Sequence, residues 1–413
     1  MRARLAESGV RRIALVHEWL DQRAGSEKVF ERIAQLLPDA ELFALSMTPD
    51  CELDLGGRAV QTTILGHKLV RDRRALSLLA MPLVWSRTTS PSRYDLVISS
   101  SHAFARYFAP ARDTLHLSYC HAPLRYAWSA GRDRRGPPPV RSLAAMVRPV
   151  IRRLDRASVR WTESFAANSR ETAERIRRFY DRPAKVVYPP VDVEFFGLPC
   201  PIRRGAYLLA VSRFVPYKRV DLVITAAALA GLPLVVAGSG PLERSLRKFA
   251  RARYPGSVHF VVRPSDVTLR NLYAGAAALV FPAFEDFGIV AVEAQAAGTS
   301  VVALSHGGCV DTVIDGRTGA LVGRQSADAF AAAIRRVTED PPRPDACRAN
   351  ARRFSIEAFD RRFTDWVLTA VAAHTGRRDA RRGTSGHRWA EGALSTRSSL
   401  GTLTTAEVTS GDL

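Results

Sequence analysis

Residues 276–298 read as three pieces in direct succession: an apolar run from Ala276 to Phe281, a turn opened by Pro282, and a helix that Gly298 stops. A strand feeding a helix through so short a turn is half of a βα unit. Chains built from such units close their apolar faces as a parallel sheet covered by helices. The same stretch carries two carboxylates eight residues apart, Glu285 in the turn and Glu293 within the helix. At ~1.5 Å rise per residue they bracket the helix N-terminus, where N–H groups are free and the partial charge is positive. One elongated ligand is therefore expected to lay a sugar on Glu285, a diphosphate on the helix end and a ribose on Glu293.

Short apolar runs alternate with amphipathic segments along most of the chain, the pattern of repeated βαβ units. In the first half, strands are predicted at 12–17, 41–45, 94–99, 115–119 and 165–168. Helices are predicted from Ser26 to Leu37, over 141–160, and from an N-cap at Ser169 to just before Pro183. In the second half, strands are predicted at 207–212, 233–237, 258–262, 278–281, 300–303 and 320–322. Between the halves, Pro189 and Pro190 bar helix and suit a connector. The expected domains are residues 1–190 and 191–355, with a closing helix over 356–373. Residues 374–413 are poor in large apolar side chains and read as a disordered tail.

At 413 residues, 46% of them hydrophobic, the chain can bury two cores. Its five cysteines are scattered and form no Cys-x-x-Cys pair, which argues against a zinc site or a disulfide framework and fits a reducing cytoplasm. The longest nearly uncharged run, 75–86, is too short to span a bilayer. The formal charge of +20 points to an anionic partner. Much of it lies in residues 123–182, where fifteen Arg face six acids for a net of +9. No zinc finger, RNP-like strand or basic zipper accompanies it, so a nucleic-acid partner is not expected.

Arg213 and Lys218 follow the first strand of the second half, at the carboxyl end where ligands of open α/β sheets sit. Breaking a sugar–diphosphate bond loads charge on the leaving phosphate. Two fixed cations and a helix terminus stabilise that charge, and no Asp-x-Asp pair is present to hold a metal between phosphates. With the segment Glu285–Gly298, this stretch resembles the retaining glycosyltransferases of family 4, closest to the mannosyltransferases of bacterial O-antigen and exopolysaccharide synthesis. The resemblance covers residues 10–370. It implies an α/β fold of the GT-B type: two Rossmann-like doubly wound domains facing a cleft, with a C-terminal helix crossing back to the first. It also implies a nucleotide-sugar donor as substrate, with no cofactor and no metal. Asp286 stands where much of the wider family has Gly.

Carried over on that resemblance, the donor contacts are Gly25, Arg213, Lys218, Gly238, Arg263, Glu285, Phe287, Gly288, Ile289 and Glu293. The catalytic set is His121, Glu285, Arg213 and Lys218, with the His121 carbonyl near the anomeric carbon. The turns at Ser305–Gly308 and Asp315–Gly319 read as fold markers. Ser100, His102, Tyr126 and Trp128 are candidates for the acceptor side, the two aromatic residues either stacking on a sugar or packing in the core. No carboxylate is left over as a nucleophile, so the resemblance implies reaction on one face, the leaving phosphate taking the acceptor's proton.

Leu143, Val147, Ile151 and Leu154 recur at helical spacing among Arg148, Arg152, Arg153, Arg156 and Arg160, and the basic run 68–74 precedes the apolar stretch 75–85. Such a helix packs on its sheet or meets an anionic membrane surface. The combined expectation is a cytoplasmic enzyme, peripheral at the inner face of the cell membrane. It would transfer a sugar, mannose from GDP-mannose first, to a lipid-linked saccharide. A UDP-sugar donor is the near alternative. A non-catalytic polyanion-binding protein and a pyridoxal-phosphate-dependent phosphorylase of the same shape are the distant ones.

Overall fold

The computed structural model describes residues 1–49, 51–66, 78–88, 93–108, 114–128, 138–200, 202, 204–205 and 207–395. Two fully parallel sheets organise them. The first has seven strands: β1 (Ile13–Leu20), β2 (Glu41–Met47), β3 (Val60–Thr62), β4 (Leu96–Ser101), β5 (Leu115–Cys120), β6 (Ser164–Ala167) and β7 (Ala184–Val186), in the order β3-β2-β1-β4-β5-β6-β7. The second has six: β8 (Tyr207–Arg213), β9 (Leu234–Ser239), β10 (Val258–Val262), β11 (Ala276–Phe281), β12 (Ser300–Leu304) and β13 (Gly319–Val322), in the order β10-β9-β8-β11-β12-β13. Both orders reverse beside their first strand, β1 against β4 and β8 against β11. The crevices that collect ligands in doubly wound sheets open there.

The central strands are buried on both faces, as parallel sheets require; every residue of β4, β5 and β12 is buried. The sequence reading missed β3 and β7, the edge strands of the first sheet. Each is three residues long and too short for a periodic signal.

The chain crosses between domains twice. The connector after β7 and the segment leading out of the second domain run side by side, with a parallel bridge at Val191 and Ser355 and a bond from Val191 N–H to Phe354 C=O of 3.0 Å. The C-terminal helix, Ile356–Ser395, then returns to the first domain. Phe359, Phe363, Trp366, Val367 and Val371 bury against a core shared with Leu15, Phe30 and Tyr119, and Arg32 Nε donates to Asp360 at 2.8 Å. This helix runs on past the expected end at 373, so residues 374–395 are helical rather than part of a structureless tail; residues 396–413 lie outside the described residues.

The helix expected over 141–160 spans Pro138–Ser158. Ile151 is buried and Val147 and Leu154 are partly buried against the core of the first sheet, whereas Met146 and Val150 face outward, 77% and 52% exposed. Val147, Ile151 and Leu154 of the predicted stripe therefore pack on the sheet, and the outward apolar pair Met146 and Val150 lies outside that stripe. The basic run 68–74 falls outside the described residues.

Candidate active site

The donor side is built where β8 and β11 end. After β8 the chain makes a short turn at Pro216–Lys218 and leaves it through Arg219, whose φ of 51° is left-handed. Lys218 is thereby aimed back across the sheet end. Its Nζ lies 2.6 Å from Glu285 Oε1 and over the rings of Phe281 and Tyr217 at 5.4 and 5.5 Å. Arg213, the last residue of β8, is exposed. The helix after β11, Ile289–Ala296, begins from Gly288 at a φ of 85°, with no side-chain cap on its first N–H groups. Glu285, Lys218 and an uncapped helix N-terminus thus share one rim, a suitable place for a phosphate beside a sugar.

Glu293 sits deeper, 5% exposed, and accepts a hydrogen bond of 2.8 Å from the Tyr273 hydroxyl. Burial pushes its carboxyl above the ordinary range, with Lys28 and Tyr273 opposing. It lines an interdomain crevice of about 420 Å³ with Ile289, Asp266, Phe195, Lys28 and Arg32. Glu285 and Lys218 are not among the lining residues, so the crevice and the rim are separate parts of the cleft wall.

The glycines divide by cause. A Cβ on Gly238 would come within 1.9 Å of the Ser212 carbonyl oxygen, so that position answers to β8–β9 packing. Close packing on β8 is thus a sufficient reason for glycine here, and the residue itself remains partly exposed. Gly307 and Gly308, read from sequence as fold markers, abut the donor turn: Gly308 N–H donates to Glu285 C=O at 2.8 Å, and a Cβ on Gly308 would lie 2.2 Å from Phe287 Cα. At Gly25, which begins helix Gly25–Leu36 facing the cleft, an added Cβ would meet open space. Arg263, just past β10, adopts a left-handed φ of 49° at an exposed position, with its N–H on Gly238 C=O at 3.1 Å. Phe287 points away from the cleft, stacked near Tyr188 and edge-on to Phe354, so its contribution to a donor is confined to backbone.

On the first domain, His121 follows β5, 9% exposed. Its Nε2 lies 2.8 Å from Ser100 Oγ, and its carbonyl accepts from Asn168 Nδ2 at 2.8 Å. Ser100 is fully buried and bridges to His17 Nδ1 at 3.1 Å. This corrects its expected acceptor role: Ser100 orients His121. Burial, and then the neighbouring His17 and His102, hold the His121 imidazole well below its ordinary pKa, hence neutral. His102 stands beside Trp19, His17 and His121 and contacts Glu18 through Nδ1 at 3.3 Å. Glu18, which the sequence reading left without a role, is buried and accepts from Ser101 Oγ and from the N–H groups of His102, Ala103 and Ala105. It fixes the loop after β4.

Trp128 is likewise corrected. Its ring stacks on Phe179 at 4.5 Å, Arg152 and Arg156 lie over it, and Nε1 donates to Asp155 at 2.7 Å, so packing takes the aromatic face expected to meet a sugar. Tyr126 remains 45% exposed.

Sequence reasoning gave no partner to Asp286. In the structure it is buried and takes a guanidinium on each oxygen: Arg125 Nη2 on Oδ2 and Arg175 Nη1 on Oδ1, both at 2.5 Å. Burial pushes its carboxyl up, but the two arginine charges outweigh this and hold it below the ordinary range. Both arginines belong to the first domain. A second cross-domain contact lies nearby, where Asp311 caps the helix that starts at Arg170. The partners are more than one hundred residues apart in sequence, and no local pattern announces them.

Two family descriptions match the chain: "Glycosyltransferase Family 4" over residues 23–195 and "Glycosyl transferases group 1" over residues 203–354. Among curated relatives, D-inositol 3-phosphate glycosyltransferase of Mycobacterium bovis is 31% identical over 325 residues, 71% of this chain and 64% of that protein. D-inositol 3-phosphate glycosyltransferase 2 of Catenulispora acidiphila is 36% identical over 43% of this chain and 48% of that protein. The chain thus spans about half to just under two thirds of the length of these relatives. Similar folds are seen in sucrose-phosphate synthase from Thermosynechococcus elongatus, with a TM-score of 0.69 at 20% identity, covering 88% of this chain and all of that one. Anabaena HepE in complex with UDP and glucose gives 0.64 at 17% identity, covering 87% and 99%. The two matched descriptions meet at the interdomain connector and together take in both lobes: the first domain is similar to the Family 4 glycosyltransferases and the second to the group 1 glycosyltransferases, on the two-domain fold of the GT-B type.

Proposed function

We propose that this protein transfers a sugar, with retention, from a nucleotide diphosphate donor to an anionic acceptor. The observation that carries the reading is the rim where Lys218 pairs with Glu285 at 2.6 Å beside an uncapped helix N-terminus, with Glu293 buried farther along the same helix. In this reading Glu293 takes the ribose, and Arg213, Lys218 and the helix end receive the charge developing on the leaving diphosphate. The sugar lies between Glu285 and neutral His121. The leaving phosphate accepts the acceptor's proton on the same face. This scheme assigns no step to a metal or cofactor.

GDP-mannose is the donor proposed first, on the resemblance of the Glu285–Gly298 and His121–Trp128 stretches to bacterial polysaccharide mannosyltransferases. A UDP-sugar is the second reading, favoured by the UDP found with HepE. The relatives named for inositol 3-phosphate favour a phosphorylated acceptor, and the arginine-rich face of the first domain suits one. A lipid-linked saccharide combines that charge with a membrane. We place the enzyme at an anionic inner membrane surface, held through Met146 and Val150 and the exposed Arg153 beside them. No described helix is long and apolar enough to cross a bilayer.

The test is a thermal-shift panel of GDP, UDP, GDP-mannose and common UDP-sugars on the parent protein and Glu293→Ala. A nucleotide at 100 times its Kd stabilises the fold by about 2.7 kcal/mol. Response to GDP and GDP-mannose in the parent, lost in the variant, supports the first reading. A UDP-only response replaces the donor. Silence across the panel, with strong salt-dependent DNA binding, would instead support a polyanion-binding protein. Co-sedimentation with vesicles that does not depend on anionic lipid would remove the membrane assignment.

A further inference from the structure

Three consecutive residues of the donor turn are held by three different parts of the molecule, and the fourth starts the helix. Glu285 pairs with Lys218 of the second domain, and its carbonyl accepts from Gly308. Asp286 reaches across the cleft to Arg125 and Arg175 of the first domain. Phe287 packs on Tyr188 of the first crossing and Phe354 of the second. Gly288 turns through a left-handed φ to start the helix. The backbone N–H groups of this turn, which would meet a donor sugar, are thus aimed by contacts that exist together only when the two domains are closed.

Arg125 gives this coupling a direction. It opens the short helix Arg125–Trp128 and lies four residues after His121, so one segment presents His121 to the cleft and holds Asp286 on the far side. Arg175 comes from helix Arg170–Tyr180, whose first N–H is capped by Asp311 of the second domain at 2.7 Å. Arg175 and Asp286 are nearly buried, with side chains 10% and 9% exposed, while the Arg125 side chain is 46% exposed. A buried carboxylate shared by two guanidiniums has one low-energy position, because losing either partner strands a charge.

We infer that Arg125 and Arg175 are positioning residues for the donor sugar: acting through Asp286, they set the Glu285–Gly288 turn against His121 when the domains close. The inference rests on the reading of this turn as the sugar site. It requires that the nucleotide bind chiefly through its proposed contacts Arg213, Lys218 and Glu293 on the second domain, with Lys28 and Arg32 of the first domain only lining the same crevice, whereas cleavage of the sugar depends on the clasp.

Asp286→Asn and Arg125→Lys would be compared with the parent for binding of GDP and UDP, for nucleotide release from GDP-mannose and UDP-glucose without acceptor, and for closure by small-angle scattering. The expected result is a nucleotide Kd within three-fold of the parent, a release rate lower by at least ten-fold in Asp286→Asn and less in Arg125→Lys, and a larger radius of gyration for Asp286→Asn. Arg125→Lys, altering the half-exposed partner, covers the case in which Asp286→Asn does not fold. Release rates and scattering equal to the parent's in variants that bind nucleotide would overturn the proposal alone. A parent that binds neither nucleotide would overturn the sugar-site reading and the proposal with it.

Discussion

Tyr273 donates a hydrogen bond of 2.8 Å to Glu293, and both side chains are buried. The phenol comes from the helix of residues 266–275 and the carboxylate from the helix after β11, so the bond ties together two helices that wall the crevice proposed for the nucleoside. Tyr273→Phe is expected to lower stability by roughly 1–2 kcal/mol and weaken nucleotide binding by about ten-fold. Calorimetric titration with the responding nucleotide checks this; an unchanged Kd would separate Tyr273 from the site.

Lys218 lies 2.6 Å from Glu285 with its ammonium over the Phe281 ring at 5.4 Å. Lys218→Ala removes a fixed cation from the rim and is expected to reduce kcat by about 10²- to 10³-fold with a smaller change in KM. Steady-state nucleotide release measures both. A change confined to KM would make Lys218 a binding residue only.

Gly308 and Gly25 make a paired test. Gly308→Ala drives a Cβ to 2.2 Å from Phe287 Cα and should cost roughly 1–3 kcal/mol as the donor turn shifts. Gly25→Ala meets open space and should leave the melting temperature unchanged or slightly higher. If Gly25→Ala nevertheless loses donor affinity, the open space beside it belongs to the ligand.

Asp311 caps a helix across the domain boundary, accepting from Arg170 N–H at 2.7 Å and pairing with its guanidinium. Asp311→Ala should lose roughly 1–2 kcal/mol, seen in chemical denaturation, as other helix caps do. Arg170→Ala should lose less, because the cap to its backbone N–H survives. Equal losses would place the stabilisation in the ion pair instead.

Three buried histidines set the acid limit of the fold. Burial and then Arg106 hold His116 down to about 3, and burial lowers His17 and His121. With folded values below the unfolded one, the unfolded chain binds more protons in that window. Stability is therefore full above about pH 6.5 and declines as pH falls. His116 alone should contribute about 2 kcal/mol of loss by pH 5. Buried Glu293 and Asp155, whose carboxyls burial raises, titrate with the opposite sign and partly offset it. Melting curves from pH 8 to pH 5 on the parent and His116→Asn should diverge only below about pH 6.5.

Much of the fold was legible because it is written locally. The alternation of apolar runs and amphipathic helices reports period and length, and both parallel sheets follow from it. Ala276–Gly298 could be read as strand, turn and helix because Pro282, Gly288 and Gly298 punctuate it, and Glu285 and Glu293 fall on either side of the helix start by spacing alone. What tertiary structure decided was the partner of each side chain. Nothing near Asp286 announces Arg125 and Arg175, and nothing near Ser100 says that its hydroxyl will lie between two histidines. Trp128 carries the same local signal whether it stacks on a sugar or on Phe179, and Gly238 whether it clears a ligand or the Ser212 carbonyl. Periodicity specifies which face of an element is buried. Charge pairing, hydroxyl bridges and close backbone approach depend on distances between elements far apart in the chain, and those are set only when both sheets pack against the same crossing segments.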